Sequence, residues 1–203
     1  VIAGGNNQIS VGFNAGSLTA GTYTANIRIT SNDPDQPQVL VPCTLNISNN
    51  KNLNLTVLLE GLHNGPGTMR KAQGTSGDQF SGTVADQMTV ELREAADYNN
   101  VVYTDPDVNL NTNGSASLVI PAENSGSYYV TIRHRNSIET TTALPLSFSG
   151  SDIIYNFTTA ASQAYGSNLQ QAGGDFVIFG GDVNQDGAVD TGDMTPTDND
   201  AGS

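Results

Sequence analysis

The chain of 203 residues has no tryptophan, a single cysteine, and only seven lysines and arginines against 20 aspartates and glutamates. Each shortage excludes something. A formal net charge of −13 repels phosphate, so nucleic acid is excluded as a partner, and an anionic membrane surface with it. No apolar run approaches the ~18 residues that a helix needs to cross a bilayer, so no membrane insertion is expected. The lone Cys43 excludes an intrachain disulfide and a multi-cysteine metal site. Set in an alternating strand pattern, it reads as a buried, inert thiol. Without tryptophan an extended sugar-stacking platform is unexpected, although Tyr98, Tyr103, Tyr128 and Tyr129 could form a smaller one. Helical periodicity is also lacking: no stretch before residue 190 sustains it.

What is present is acidity, unevenly placed. No lysine or arginine follows Arg135, so Glu139, Asp152 and every aspartate from Asp175 onward stand without a basic partner in the later sequence. Abundant Asn, Thr, Ser and Gly with little lysine fits an extracellular or cell-surface bacterial β protein better than a cytosolic enzyme. The opening VIAGGNNQIS carries no secretory leader pattern and reads as the interior of a longer protein.

The densest acidic stretch is GGDVNQDGAVDTGD, residues 180–193. Asp182, Asn184, Asp186, Asp190 and Asp193 occupy places 1, 3, 5, 9 and 12 of a twelve-residue segment, with Gly187 at place 6. That is the EF-hand spacing, in which hard oxygen donors surround Ca²⁺ and the sixth residue turns sharply. Place 7 needs only a backbone carbonyl, which Ala188 supplies. Val189 at place 8 is expected to pin the loop to a core. Place 12 is Asp193 rather than glutamate, so its shorter side chain must approach more closely. Ca²⁺ is the cofactor expected here, because the loop aspartates would otherwise repel one another. A metal-free Asp/Asn/Gly turn is the competing reading, but it leaves the register of so many donors unaccounted for.

The rest of the chain alternates as strands do. ISVGF (9–13), TYTANIRIT (22–30) and QVLVPCTLNIS (38–48) predict three antiparallel strands, with a turn at SNDPDQPQ (31–38). Residues 49–52 read as a polar linker. Eight further strand patterns follow: LNLTVLLEG, QMTVELRE, DVNLNT, ASLVIP, SYYVTIRHR, LPLSFS, DIIYNFTT and DFVIFG. Residues 65–83 are polar enough to be a mobile loop, and Asp105-Pro106-Asp107 reads as an acidic turn, like Asp33-Pro34-Asp35. The fold class expected is all-β, as two immunoglobulin-like sandwich modules followed by a calcium loop and short helix. The first module, 1–48, is incomplete, since a sandwich needs about 100 residues in seven strands. The second, over 53–180, is expected to be an antiparallel sandwich of seven or eight strands, and the loop with its helix runs over 181–203.

Three stretches carry family resemblances. AGTYTANIRITSNDPDQPQVLVPCTLNIS (20–48) resembles the closing strands of a bacterial immunoglobulin-like repeat of the group related to ASPM/SPD-2/Hydin domains, which implies a structural spacer. The loop after FVIFGG resembles the first half of a type I dockerin repeat, including the aspartate at place 12. VTIRHRNSIET, YNFTTAASQAYGSNLQ and GGDVNQDG together resemble a C-terminal module of secreted and surface proteins of Bacteroidetes-type bacteria. There a β-sandwich runs into dockerin-like calcium loops. The resemblance implies location and architecture, and no enzymatic activity.

His134 in RHRN lies on the inward face of its strand and could act as a base with Arg135 as an anion anchor, but no partner at fixed spacing accompanies it. Glu91, Glu94, Glu123 and Glu139 are scattered, with no visible pairing for glycoside hydrolysis. No catalytic residue is therefore assigned. The expectation is a non-enzymatic, calcium-stabilised structural module, with a sharper version in which strands of a neighbouring copy complete it in a fibre. The alternative is a docking module for a cohesin-like protein, or one that binds polysaccharide.

Overall fold

A computed structural model describes residues 8–16 and 18–194, and these divide into two compact units between Asn49 and Asn50. The described chain is mostly β, with no helix of seven or more residues. The helix expected after Asp190 begins as a 3-10 turn at Thr191–Asp193, and the remainder of that expectation, residues 195–203, lies outside the described residues.

The first unit is a hairpin. Strands β1 (Gly21–Thr30) and β2 (Gln38–Ile47) pair antiparallel, with Ile29 opposite Val39, Ile27 opposite Val41 and Tyr23 opposite Leu45. The turn between them uses its acid as turn chemistry dictates: Asp33 Oδ1 accepts the Asp35 N–H at 2.9 Å and the Gln36 N–H at 3.2 Å. Two expectations fail here. ISVGF forms no strand, and Ile9, Val11 and Phe13 are exposed, because alternation alone cannot hold a strand without a partner edge. Cys43 is half-buried rather than buried, since two strands cannot cover an apolar face by themselves.

In the second unit the large sheet is built from β6 (Val84–Glu94), β7 (Val101–Asn111), β9 (Ser127–His134) and β10 (Ser137–Thr141) in the order β10-β9-β6-β7. The short β11 (Leu146–Ser147) also pairs with β9. A three-stranded sheet joins β3 (Lys51–Thr56), β8 (Ser115–Ile120) and β12 (Asp152–Asn156), with β3 central. Two small hairpins, β4–β5 (Gln73–Gly74 with Gly77–Asp78) and β13–β14 (Gln170–Ala172 with Asp175–Val177), complete the set.

Both larger sheets feed one apolar cluster. Leu53, Leu55, Leu118, Ile120 and Ile153 come from the smaller sheet, and Val90, Leu92, Leu110, Val130 and Ile132 from the larger. Phe148 and Phe157 are fully buried, each with an edge-to-face tyrosine partner, Tyr128 at 5.6 Å and Tyr155 at 4.9 Å between ring centroids. Such aromatic pairs add to the stabilisation from buried area alone.

Four local expectations are corrected. Lys51 and Asn52 belong to β3 rather than to a linker, and the Lys51 ammonium is satisfied by the Ala122 carbonyl at 3.0 Å. The sheet pairing is not wholly antiparallel, for β12 runs parallel to β3. Residues 65–83 are anchored: Met69 and Ala72 are buried, and their N–H groups bond Thr112 and Ala85 carbonyls. Asp105-Pro106-Asp107 is not a turn but an irregularity inside β7, where the register shifts between Met88 and Val90 of β6. β7 ends the sheet, and a proline is tolerated at a bulge or an edge because no ladder N–H is required there.

Candidate metal centre

The loop at 182–193 grows directly from the core. Val177 and Ile178 are buried, Leu59 bridges Ile178 in parallel, and the chain leaves along the β9–β10 turn. There Ile138 N–H bonds the Phe179 carbonyl and Gly181 N–H bonds the Asn136 carbonyl, both at 3.0 Å. Glu60 accepts the Gly180 N–H at 2.9 Å, and the Gln185 amide reaches the His134 carbonyl at 3.3 Å. The loop is thus tethered on three sides before any ligand is considered.

Within it, the carboxylates organise the backbone. Asp182 accepts the Asp186 and Gly187 N–H groups, each at 3.1 Å, while Asp193 accepts those of Val183 (2.7 Å), Asn184 (3.2 Å) and Asp190 (2.9 Å). Places 1 and 12 therefore close the loop from its two ends. Hydrogen bonds from the Asp190, Asn184 and Val183 N–H groups hold the Asp193 carboxyl below the ordinary carboxylate range. The turn is made at Gln185 (φ 59°) and Gly187 (φ 89°); the second suits glycine, as the spacing requires. Val189 does not enter the core. It is 53% exposed and lies across Gly181, where an added Cβ would come within 2.9 Å of its Cγ1.

One carboxylate of the loop is placed as a hard cation would require. Asp182 is 1% exposed, and among the described residues no lysine, arginine or histidine pairs with its carboxylate. Among the described residues its charge is met by the Asp186 and Gly187 N–H groups, and a cation within reach would stabilise such a buried carboxylate further. Asn184, Asp186 and Asp190 are exposed in the loop, with the Asn184 amide donating to Asp186 at 3.0 Å. Among the described residues no three His, Cys, Asp or Glu side chains converge closely enough to hold a metal ion.

Beside the loop lies His134, inward-facing and 8% exposed. Its Nε2 meets Asp86 at 3.2 Å and its Nδ1 meets Ser137 Oγ at 3.1 Å. The order is that of a Ser-His-Asp relay, which sequence spacing could not show because Asp86 is 48 residues distant. Here the Asn136 N–H also points at Nδ1, at 3.3 Å, and Ser137 is only 4% exposed. With Nδ1 shared between two donors and the hydroxyl buried, the array acts as a clamp on the β9–β10 turn. Burial pushes the Asp86 carboxyl up, but hydrogen bonds from His134, Arg135 and the Gln87 N–H outweigh it and hold the group at about 2.

The glutamates and tyrosines sort differently from expectation. Glu91 and Glu139 meet around Arg93 and Arg133 as ion pairs, whereas Glu94 and Glu123 lie elsewhere. Tyr128 is committed to Phe148, and the Tyr103 hydroxyl bonds the Val119 carbonyl. Tyr98 and Tyr129 do meet, edge to face at 5.9 Å. Compared with family models, with curated proteins and with solved structures, the chain matches none.

Proposed function

We propose that this chain is a non-enzymatic, calcium-stabilised structural module of a secreted or surface-displayed bacterial protein. In this reading the two sheets of the second unit form an immunoglobulin-like sandwich, and the loop fastens its C-terminal end. Asp182, Asn184, Asp186, Asp190 and Asp193, with the Ala188 carbonyl, would hold the ion. The observation that carries the reading is the buried Asp182 carboxylate, lacking a basic partner among the described residues, at place 1 of an EF-hand register.

Bound Ca²⁺ supplies positive charge to a group of acidic side chains. The chain's own part is mechanical. Gln185, Gly180 and Gly181 tie the loop to Glu60, His134 and Asn136, so ordering the loop also orders the β9–β10 turn. By mass action a ligand at 100 times its dissociation constant adds about 2.7 kcal/mol to the folded state. The test is Asp186→Ala. It should abolish the calcium-dependent rise in melting temperature, and an unchanged rise would remove the loop from this account.

A second reading is favoured by the hairpin unit. Ile29, Val39 and Val41 are 39%, 44% and 40% exposed, an apolar face that strands of a neighbouring copy could cover in a fibre. Sedimentation velocity at high concentration separates the two: large species support assembly, and a monomer throughout rejects it.

A further inference from the structure

Independently of the calcium loop, we propose that the cleft over the outer face of β9 binds a neutral oligosaccharide. The cleft lies among the residues joining β6 to β7, the strand β10 and the 3-10 turn Tyr165–Ser167, and its volume is about 530 Å³. That falls within the ~300–1,000 Å³ of small-molecule sites. Tyr98, Tyr129, Tyr165, Glu139, Thr141 and Asn168 line it.

Its floor is held in place. The Tyr98 hydroxyl donates to Glu139 at 2.8 Å and lies 2.7 Å from Thr141 Oγ1 and 3.2 Å from Thr131 Oγ1. The Asn168 amide donates to the Glu139 carbonyl at 3.2 Å. Its rim is free to engage a ligand. Tyr165 is 69% exposed on a turn fixed by the Thr142–Ala164 bridge and by the Ala143 N–H bond to Gln163. That turn carries Gly166 at φ 65° and the non-glycine Ser167 at φ 58°, a left-handed backbone that persists only where surroundings impose it. Among the described residues the Tyr129 and Tyr165 hydroxyls and the Asn168 Oδ1 accept or donate no hydrogen bond within the protein.

Flat aromatic faces beside hydroxyl and amide groups match a sugar ring, which has an apolar C–H face and a hydroxyl edge. Charge narrows the class. Glu139 is ion-paired with Arg133, with Arg93 at 3.9 Å, and the Arg93 guanidinium already sits 4.7 Å from the Tyr98 ring centroid. A ligand cation would therefore find both its aromatic face and its carboxylate engaged. An acidic saccharide would meet a chain of net charge −13. Among the described residues Glu139 is the one carboxylate lining the cleft, whereas glycoside hydrolysis uses a pair, so the proposal is of binding and not of cleavage.

The experiment is calorimetric titration of the full chain with neutral hexasaccharides of β-1,4-linked glucose, mannose and xylose and of α-1,4-linked glucose, with oligogalacturonate as the charged control. At least one neutral oligomer should bind saturably. Tyr165→Ala should weaken it at least ~tenfold with an unchanged melting temperature, while Tyr103→Phe, outside the cleft, leaves affinity intact. Asn168→Ala provides a second variant and should also weaken binding. Absence of binding to every neutral oligomer, preference for oligogalacturonate, or binding indifferent to both Tyr165→Ala and Asn168→Ala would overturn the proposal.

Discussion

One kind of residue pair occurs in both units with opposite fates. In the hairpin, Ile29 faces Val39 across β1 and β2, and the two are 39% and 44% exposed; in the large sheet, Ile132 faces Val90 across β9 and β6, and they are 1% and 0% exposed. Both pairs sit in antiparallel ladders with alternating patterns. What separates them is the second layer: Ile132 and Val90 share an apolar cluster with Leu53, Leu55 and Leu118 of the other sheet. Alternation specifies which way a side chain points, and burial depends on something being there to meet it.

The buried pair is the more sensitive of the two to substitution. Ile132→Ala should cost about 2–5 kcal/mol, because it removes apolar contact and leaves a cavity in a packed core. In urea unfolding this would appear as a lower midpoint with an unchanged slope. Next in size is the clamp under β9. The Asp86 carboxyl is held at about 2 against an ordinary 3.8, so its folded state favours the ionised form. Its contribution of about 2 kcal/mol is fully present above the unfolded value and is lost as pH falls from about 4 through 2. Urea unfolding between pH 5 and 2 should show this acid limb, and Asp86→Asn should flatten it. The smallest effect belongs to the exposed pair. Ile29→Ala should change stability by no more than about 0.5 kcal/mol, and a cost matching that of Ile132→Ala would mean that the hairpin face is covered in solution.

Much of this architecture is legible from the residues. The strand patterns around Leu53, Val90, Leu118, Ile132, Leu146, Ile153 and Phe176 all correspond to strands, because each combines alternation with β-branched or aromatic side chains. The Asx turn at Asp33 follows from its composition in the same way. Other features resist reading for physical reasons. Strand β10, SIETT, is polar and short, and it is recruited by pairing with β9 rather than by its own pattern. Pro106 looks like a turn, yet the edge position of β7 absorbs it as a bulge. Met69 and Ala72 are buried within a polar stretch whose composition gives no sign of anchoring.

The sites divide along the same line. The acidic loop is contiguous, so its donors can be counted along the chain, and its closure by Asp193 onto Val183 and Asn184 occurs within that segment. The clamp and the cleft are assembled from distant parts. Asp86 reaches His134 across the ladder between β6 and β9, and Tyr165 reaches the cleft from a turn beyond β12. Only AYG in the sequence marks that turn, through a glycine able to adopt positive φ next to an aromatic residue.

In the proposed function, calcium fastens the C-terminal end of the second unit. Thermal melting of the full chain in chelator and in millimolar calcium tests it most directly. A higher melting temperature with calcium is expected for the native sequence, and no difference for Asp186→Ala. Superimposable melts of the native sequence under both conditions would contradict it.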